Sequence, residues 1–288
     1  MTPLDAATSL AVHRSRKLIA EFRLHRPRSA TEAVALKAEA GAGAVFMAGG
    51  IDVVNRMKYG VRVTDVIHLG RVDDLDRIEE QEGGLRFGAL VTHDRLVTSP
   101  QVGARLPSLA QIWPDVANIR IRCKGTIGGN IMAGDPAYDF ALAVLAGDAR
   151  LHFFTADGSS RIVSAAEPGE VLLDGLLTAI SMPSGSALRL IFDRSLRPIV
   201  TLALGLDIGE GGNTGGRVAI GCAYAAPLTV GLPLDEPLSL GELAHRAGRL
   251  AKEVATGLPA PLTDRHATSD YRRRMIELLI HRNLSAAV

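Results

Sequence analysis

The stretch Gly125–Asp139, GTIGGNIMAGDPAYD, carries residue types suited to holding an anion. Gly125, Gly128 and Gly129 free the backbone to turn and let another group approach closely, because no Cβ stands in the way. Successive peptide N–H groups in such a turn form a concave nest for negative charge. Asn130 follows directly, and then two acids, Asp135 and Asp139. Taken alone, the stretch is equally consistent with a glycine-rich hairpin that binds nothing, since short glycine motifs recur without ligands.

A second stretch shifts that balance. Ala44–Lys58 reads AVFMAGGIDVVNRMK. Ala44–Met47 has the pattern of a buried strand, Ala48-Gly49-Gly50 that of a turn, and Ile51–Lys58 that of a helix opening. A strand, a glycine turn and a helix N-terminus in succession make an anion site, because free N–H groups and the positive end of the helix dipole point the same way. Asp52 falls in the first helical turn, where the dipole favours a carboxylate. Two such turns in one chain can grip a diphosphate between them.

Other constellations carry less. Gly41 and Gly43 form a GxG, but it precedes its strand and Phe46 stands where a third glycine would be, so a Rossmann fingerprint is rejected. His93-Asp94 has the form of an acid–base pair, yet it follows Thr92 at a helix start and is read as N-terminal helix chemistry. Trp113 is read as core. Cys123 and Cys222 are far apart and form no CxxC; they are expected to be ordinary buried or partly buried thiols. Two thiols cannot ligate an iron–sulfur cluster, so any cluster in the same enzyme sits on another chain. No metal site is expected, and no side chain is singled out as a general acid, base or nucleophile. Arg272–Arg274 is read as a solvated helix face or a subunit contact, and a net charge of +1 gives no broad footprint for nucleic acid.

The elements around these motifs define an α+β chain. The 288 residues are 47% apolar and 22% charged, a globular composition long enough to bury roughly 75% of the surface exposed when unfolded. No apolar run reaches the ~18 residues of a membrane span. The first twenty residues carry His13, Arg14, Arg16 and Lys17 without an apolar segment after them, which argues against a secretory signal and for the cytoplasm. Residues 1–20 are expected to be an extension or a partner-binding arm. From there the pattern gives a short strand at Phe22–His25, a helix capped by Thr31 and ended by Gly41, the strand–turn–helix of Ala44–Lys58, and a strand within Val61–Gly70. Leu75–Glu80 and Leu85–Gly88 pair around Gln81–Gly84. Short helices at Thr92–Leu96 and Leu106–Trp113 lead through Ile119–Lys124 into the Gly125 motif, and Asp139–Ala149 is a buried helix. Leu151–Phe154 and Ser160–Val163 flank a hairpin turn at Ala156–Gly158. After Gly185 the composition changes: Leu188–Asp193, Ile199–Ile208 and Arg217–Tyr224 read as three antiparallel strands, followed by amphipathic helices at Leu240–Ala255 and Asp264–Leu284.

The two glycine motifs together resemble the flavin-binding signatures of the medium, FAD-carrying subunits of molybdenum hydroxylases, the family of the carbon monoxide dehydrogenase medium subunit and the xanthine dehydrogenase FAD domain. The first signature is AGG, then Ile51-Asp52-Val53, with Met57-Lys58 ending the helix. The second is Thr126-Ile127-Gly128-Gly129-Asn130, then Asp135-Pro136 and Asp139. Val171–Pro183 resembles the family's LLT…IP segment, and the last helix its YRR…L..R.L pattern, so the likeness spans roughly Phe22 to Leu284. There are departures. Asp193 stands where a basic residue is common and Thr201 where an acid is, and Ala165–Val171 is short.

What the resemblance implies is a two-subdomain FAD-binding fold of the PCMH type, residues 21–70 and 71–184, followed by a C-terminal α+β domain, residues 185–288, with a three-stranded antiparallel sheet and helices. It implies that Ala48, Gly49, Gly50, Ile51, Asp52 and Val53 cradle the FAD pyrophosphate. Thr126, Ile127, Gly128, Gly129, Asn130 and Asp135 complete that site, Asp139 holds a polar group, and Val116, Leu177 and Phe192 lie near the adenine or the flavin ring. It also implies partners: a large molybdopterin subunit and a small subunit with two [2Fe–2S] clusters, with this chain passing electrons to an acceptor left open among NAD⁺, oxygen, quinone or a protein carrier. Two other readings stand beside it. One is a nucleotide-binding regulatory or assembly module without redox work. The other is a self-sufficient flavin oxidase, for which no His or Cys in a covalent-attachment context is found.

Overall fold

The computed structural model describes residues 18–112, 117–167, 175–184, 188–195, 199–209 and 213–287. Trp113 and Val116, two of the residues interpreted above, lie outside them, as do residues 168–171 of the short segment and 171–174 at the start of the Val171–Pro183 segment.

The first layer is a small parallel sheet. Strands β1 (Arg23–His25), β2 (Ala44–Met47) and β3 (Asp65–His68) lie in the order β1-β3-β2. Parallel neighbours require crossover helices, and two supply them. Helix α1 (Ala30–Ala40) is capped by Ser29, whose Oγ accepts the Glu32 N–H at 3.1 Å; Thr31, the expected cap, sits inside the helix. Helix α2 (Ile51–Lys58) joins β2 to β3. Alternate residues of β3 meet the two helices: Ile67 clusters with Ala33 and Val34 of α1, and Val66 with Met57 of α2. Both faces of the strand are thus covered, as parallel sheets require. Asp65 is fully buried at the end of β3, where the guanidinium of Arg23 and the ring of His25 hold its carboxyl at about 2.

The second layer is antiparallel. Strands β4 (Ile78–Gln81), β5 (Gly84–Gly88), β6 (Arg150–Phe154), β7 (Ser160–Ser164) and β8 (Leu176–Pro183) run in the order β4-β5-β8-β6-β7. Among the described residues, the long excursion between β5 and β6 carries six short helices: α3 (His93–Thr98), α4 (Pro100–Arg105), α5 (Pro107–Ile112), α6 (Ile119–Arg122), α7 (Ile127–Met132) and α8 (Asp139–Ala146). Side-chain caps set most of the starts. Thr92, Ser99, Asn118 and Thr126 each accept an N–H from the first turn of α3, α4, α6 and α7. Helix α4 is an addition to the expected elements; Ser99 followed by Pro100 at its first position is the start signal it carries. Phe87, Phe140 and Phe153 form the centre of the shared core.

The third sheet contains the three expected antiparallel strands, β9 (Leu188–Arg194), β10 (Thr201–Ile208) and β11 (Asn213–Gly221), and two short ones extend it to five. Strand β12 (Leu228–Gly231) pairs with β11, and so does β13 (Leu238–Ser239). Leu202, Leu204 and Leu206 of β10 face the C-terminal helices α9 (Leu240–His245), α10 (Ala247–Gly257) and α11 (Ser269–Ser285). Ala203, between them, packs into the core of the second sheet. The period of two in β10 therefore fastens the third sheet to α8 and the second layer. The single helix expected over Leu240–Ala255 is divided at Arg246, and the last helix begins at Ser269 under a Thr268 cap, five residues later than expected.

Arg272 corrects the interpretation of the arginine run. It is 3% exposed, and its Nη1 donates to the carbonyls of Ile199 and Cys222, both at 2.6 Å, while Nη2 meets Asp264 at 2.7 Å. It is a core tie rather than a solvated face. Cys123 departs from expectation in the other direction: it is exposed.

Candidate functional site

A groove of about 470 Å³ opens between the first layer and the helical excursion. Ala48, Gly49, Gly50, Ile51, Asp52 and Val53 line one wall, and Gly125, Thr126, Gly129, Asn130 and Asp139 line the other. Two glycine motifs far apart in sequence therefore meet in space. Gly49 shows how closely: a Cβ there would fall on the Lys124 carbonyl, so a side chain would force the two turns apart.

The first wall offers peptide nitrogens. Gly50 caps α2 from the left-handed region, φ 77°, which glycine enters without the Cβ penalty. No side chain caps the helix, and the first helical bond runs from the Val54 N–H to the Gly50 carbonyl at 3.1 Å. The N–H groups of Ile51, Asp52 and Val53 are thus the end donors left for an anion, at the positive end of the helix.

The second wall works differently from the expected nest. Residues 127–132 are helical, and their leading amides already have partners. The Ile127 N–H donates to Val91 O at 2.9 Å, that of Gly128 to Ala89 O at 3.0 Å, and that of Gly129 to Thr126 Oγ1 at 3.1 Å. Ile127 and Gly128 are buried against this backbone and do not line the groove. What the wall offers instead is side chains. Asn130 Oδ1 is a buried acceptor with no hydrogen-bond partner among the described residues. Burying such an atom costs about 1–3 kcal/mol when nothing bonds it, so it suits a ligand N–H or O–H.

Asp139, at the first position of α8, lines the groove. Burial pushes its carboxyl up to about 6, and Arg194 offsets part of that rise. Asp135 is not among the lining residues; its Oδ1 accepts the Ala137 N–H at 2.9 Å and shapes the turn. Leu177 is 3% exposed inside the central core, and Phe192 packs against the same core. Neither lines the groove, so the structure does not gather these two with the rest.

Several lining residues were not foreseen. His93 is 4% exposed, stands edge-on to Phe140 with ring centroids 5.9 Å apart, and is pushed by burial down to about 4. Its ring is therefore neutral at pH 7. Lys37 donates from Nζ to the Ala44 carbonyl at 2.6 Å beside the apolar side chains of Val45, Phe46, Val61 and Val63. Arg56 and Tyr138 also line the groove. Lys37, Val61, Val63 and His93 lie outside both glycine stretches; Arg56 and Tyr138 lie within them, but at positions that neither signature marks. Among the described residues no group of three or more metal-ligating side chains converges. No helix among them is long and apolar enough to cross a membrane.

A parallel βαβ layer and an antiparallel layer that share one glycine-lined groove define a cofactor-binding protein of the two-subdomain nucleotide-binding class. Residues 20–184 match the family model described as the FAD binding domain in molybdopterin dehydrogenase, and the chain belongs to that family. It is accordingly an FAD-binding component of an oxidoreductase. It is similar to the carbon monoxide dehydrogenase medium chain of Hydrogenophaga pseudoflava, 27% identical over 278 residues that cover 92% of this chain and 96% of the relative. The carbon monoxide dehydrogenase medium chain of Afipia carboxidovorans is 30% identical over 294 residues, with the same coverage of 92% and 96%. Among solved structures, a chain of the Hydrogenophaga pseudoflava carbon monoxide dehydrogenase lacking the Mo-pyranopterin moiety superposes with a TM-score of 0.82 at 25% identity, covering 94% of this chain and 98% of that one.

Proposed function

We propose that this chain is the FAD-carrying electron-transfer subunit of a heteromeric molybdopterin-dependent hydroxylase or dehydrogenase. The observation that carries the proposal is the convergence of the two glycine motifs on one groove. Its volume lies within the ~300–1,000 Å³ of small-molecule sites, and its lining combines apolar walls with a few convergent polar groups.

The residues present fit an FAD. The Ile51, Asp52 and Val53 amides at the α2 N-terminus suit a diphosphate, which they hold without a buried lysine. Asn130 Oδ1 needs the donor that the ligand would bring. Val45, Phe46, Val61 and Val63 give apolar walls for a ring. Asp139 accepts or donates to a polar group according to its protonation. A bound flavin supplies the exchange between one-electron carriers and a two-electron acceptor, and the protein supplies binding and orientation. The partners proposed are a large chain with molybdopterin and a small chain with two [2Fe–2S] clusters, because the two thiols here cannot ligate a cluster. The proposed units are 21–70 and 71–184 around the cofactor and 185–288 behind them, with 1–20 as an extension.

The test is to purify the full chain, record its visible spectrum, and identify what heat releases from it. A yellow protein that releases one FAD per chain is expected. A colourless chain that takes up only a mononucleotide overturns the proposal. Pull-down from the native host tests the partners: a molybdopterin chain and an iron–sulfur chain are expected together.

A further inference from the structure

Three polar side chains cross the mouth of the groove. Asp52 projects from the first turn of α2, and Arg56 follows one turn later with its Nε 2.7 Å from Asp52 Oδ2. The Arg56 guanidinium then reaches the opposite wall, where Nη2 donates to the Ala133 carbonyl at 2.5 Å. From that wall Tyr138 returns the contact, its hydroxyl donating to Asp52 Oδ1 at 3.4 Å. All four residues line the groove. Arg56 is about half exposed and Asp52 about a fifth, so the crossing lies on the solvent side.

We propose that Arg56, Asp52 and Tyr138 form a clasp that sets how fast the cofactor leaves the groove. The proposal rests on the reading of the groove as an FAD site. Its physical basis is twofold. The Asp52 carboxylate shares the α2 N-terminus with the ligand's diphosphate, and like charges so placed repel. Arg56 offsets that charge while joining the two walls, through charge-assisted bonds that are stronger than neutral ones. The clasp is not what holds the walls together in the first place, because the Gly49 turn already abuts the Lys124 carbonyl. It can therefore open without unfolding the layers. Arg56 and Tyr138 are positioning residues here, acting through Asp52 and the wall geometry.

The test loads the full chain with FAD, dilutes it, and follows release by the recovery of flavin fluorescence. Arg56→Ala is expected to speed release by about two- to fivefold, the range for a bridged pair at a partly exposed site. Tyr138→Phe, which loses only a hydroxyl, is expected to speed it by about twofold, and Arg56→Lys to fall between Arg56→Ala and the parent. Raising the salt concentration should narrow the gap between the parent and Arg56→Ala, which a purely structural defect would not do. Release at the parent rate from both Arg56→Ala and Tyr138→Phe overturns the clasp. If Arg56→Ala does not fold, Tyr138→Phe alone decides. A parent protein that never holds flavin overturns the FAD reading and the clasp with it, and its colourless spectrum tells that failure apart.

Discussion

The Cys222 peptide N–H donates to the Pro136 carbonyl at 3.0 Å, so the residue that follows β11 grips the loop between Met132 and Asp139. The Cys222 thiol lies against the same carbonyl at 3.7 Å. Cys222 adopts a left-handed backbone, φ 61°, a conformation that costs a residue with a Cβ roughly 1–2 kcal/mol and persists only where its surroundings impose it. One of those surroundings is Arg272, which donates to the Cys222 carbonyl from α11. A line of contacts therefore runs from the C-terminal helix, through one strained residue, to the edge of the groove.

Arg272→Ala should break that line. It removes a nearly buried guanidinium from the Ile199 and Cys222 carbonyls and from Asp264, whose own carboxylate is partly open to water. The expected loss is about 2–3 kcal/mol of folding stability, chiefly from buried carbonyls left without their donor. Lysine should not rescue it, because an ammonium cannot span the directions that the planar fork reaches. Denaturant midpoints of the full chain measure both variants. A shift no larger than that of an exposed-arginine control would contradict the assignment.

Gly49→Ala should leave a folded chain that no longer retains FAD. The new methyl falls on the backbone of Lys124, which cannot swing aside as a side-chain end would, so the turns must separate. Gly103→Ala is the control: nothing lies near a Cβ there, and the helix around it should gain slightly. The ratio of flavin to protein after purification reads the effect, with circular dichroism to confirm folding. Full flavin occupancy in Gly49→Ala would show that the two turns need not meet.

Much of this was legible before any coordinates. Ala44–Lys58 announced its strand, turn and helix because each local preference agreed with the next: apolar run, glycine pair, then an acid in the first turn. The hairpin around Asp157 was equally plain. The helical state of Ile127–Met132 was not, because two glycines disfavour a helix, and what enforces it are carbonyls at Ala89 and Val91 that only the fold brings near. Arg272 was misread for the same reason, since a run of arginines cannot show that Ile199 and Cys222 will surround one of them. Strands β12 and β13 are too short to carry a period of two that stands out. Arg56 and Tyr138 became visible only when α2 and the loop before α8 were placed face to face.

Asp139 carries the pH prediction. Its carboxyl ionises near 6 in the folded chain against an ordinary 3.8, chiefly because burial disfavours the charge. The folded state thus holds the proton more tightly than the unfolded one. Its contribution to stability is fully present below about pH 4 and is lost as the pH rises through 6. At pH 7 the buried carboxylate is a net cost, about 1–2 kcal/mol once its partial exposure is allowed for. Asp139→Asn should therefore raise the melting temperature of the flavin-free chain at pH 7 and leave it nearly unchanged at pH 4. The same substitution should weaken FAD retention at pH 7, because an amide cannot replace a carboxylate as a charged acceptor. Calorimetry at the two pH values and flavin titration separate these effects. A variant less stable than the parent at pH 7 would mean that the carboxylate is held by a partner stronger than Arg194 and that burial does not govern it.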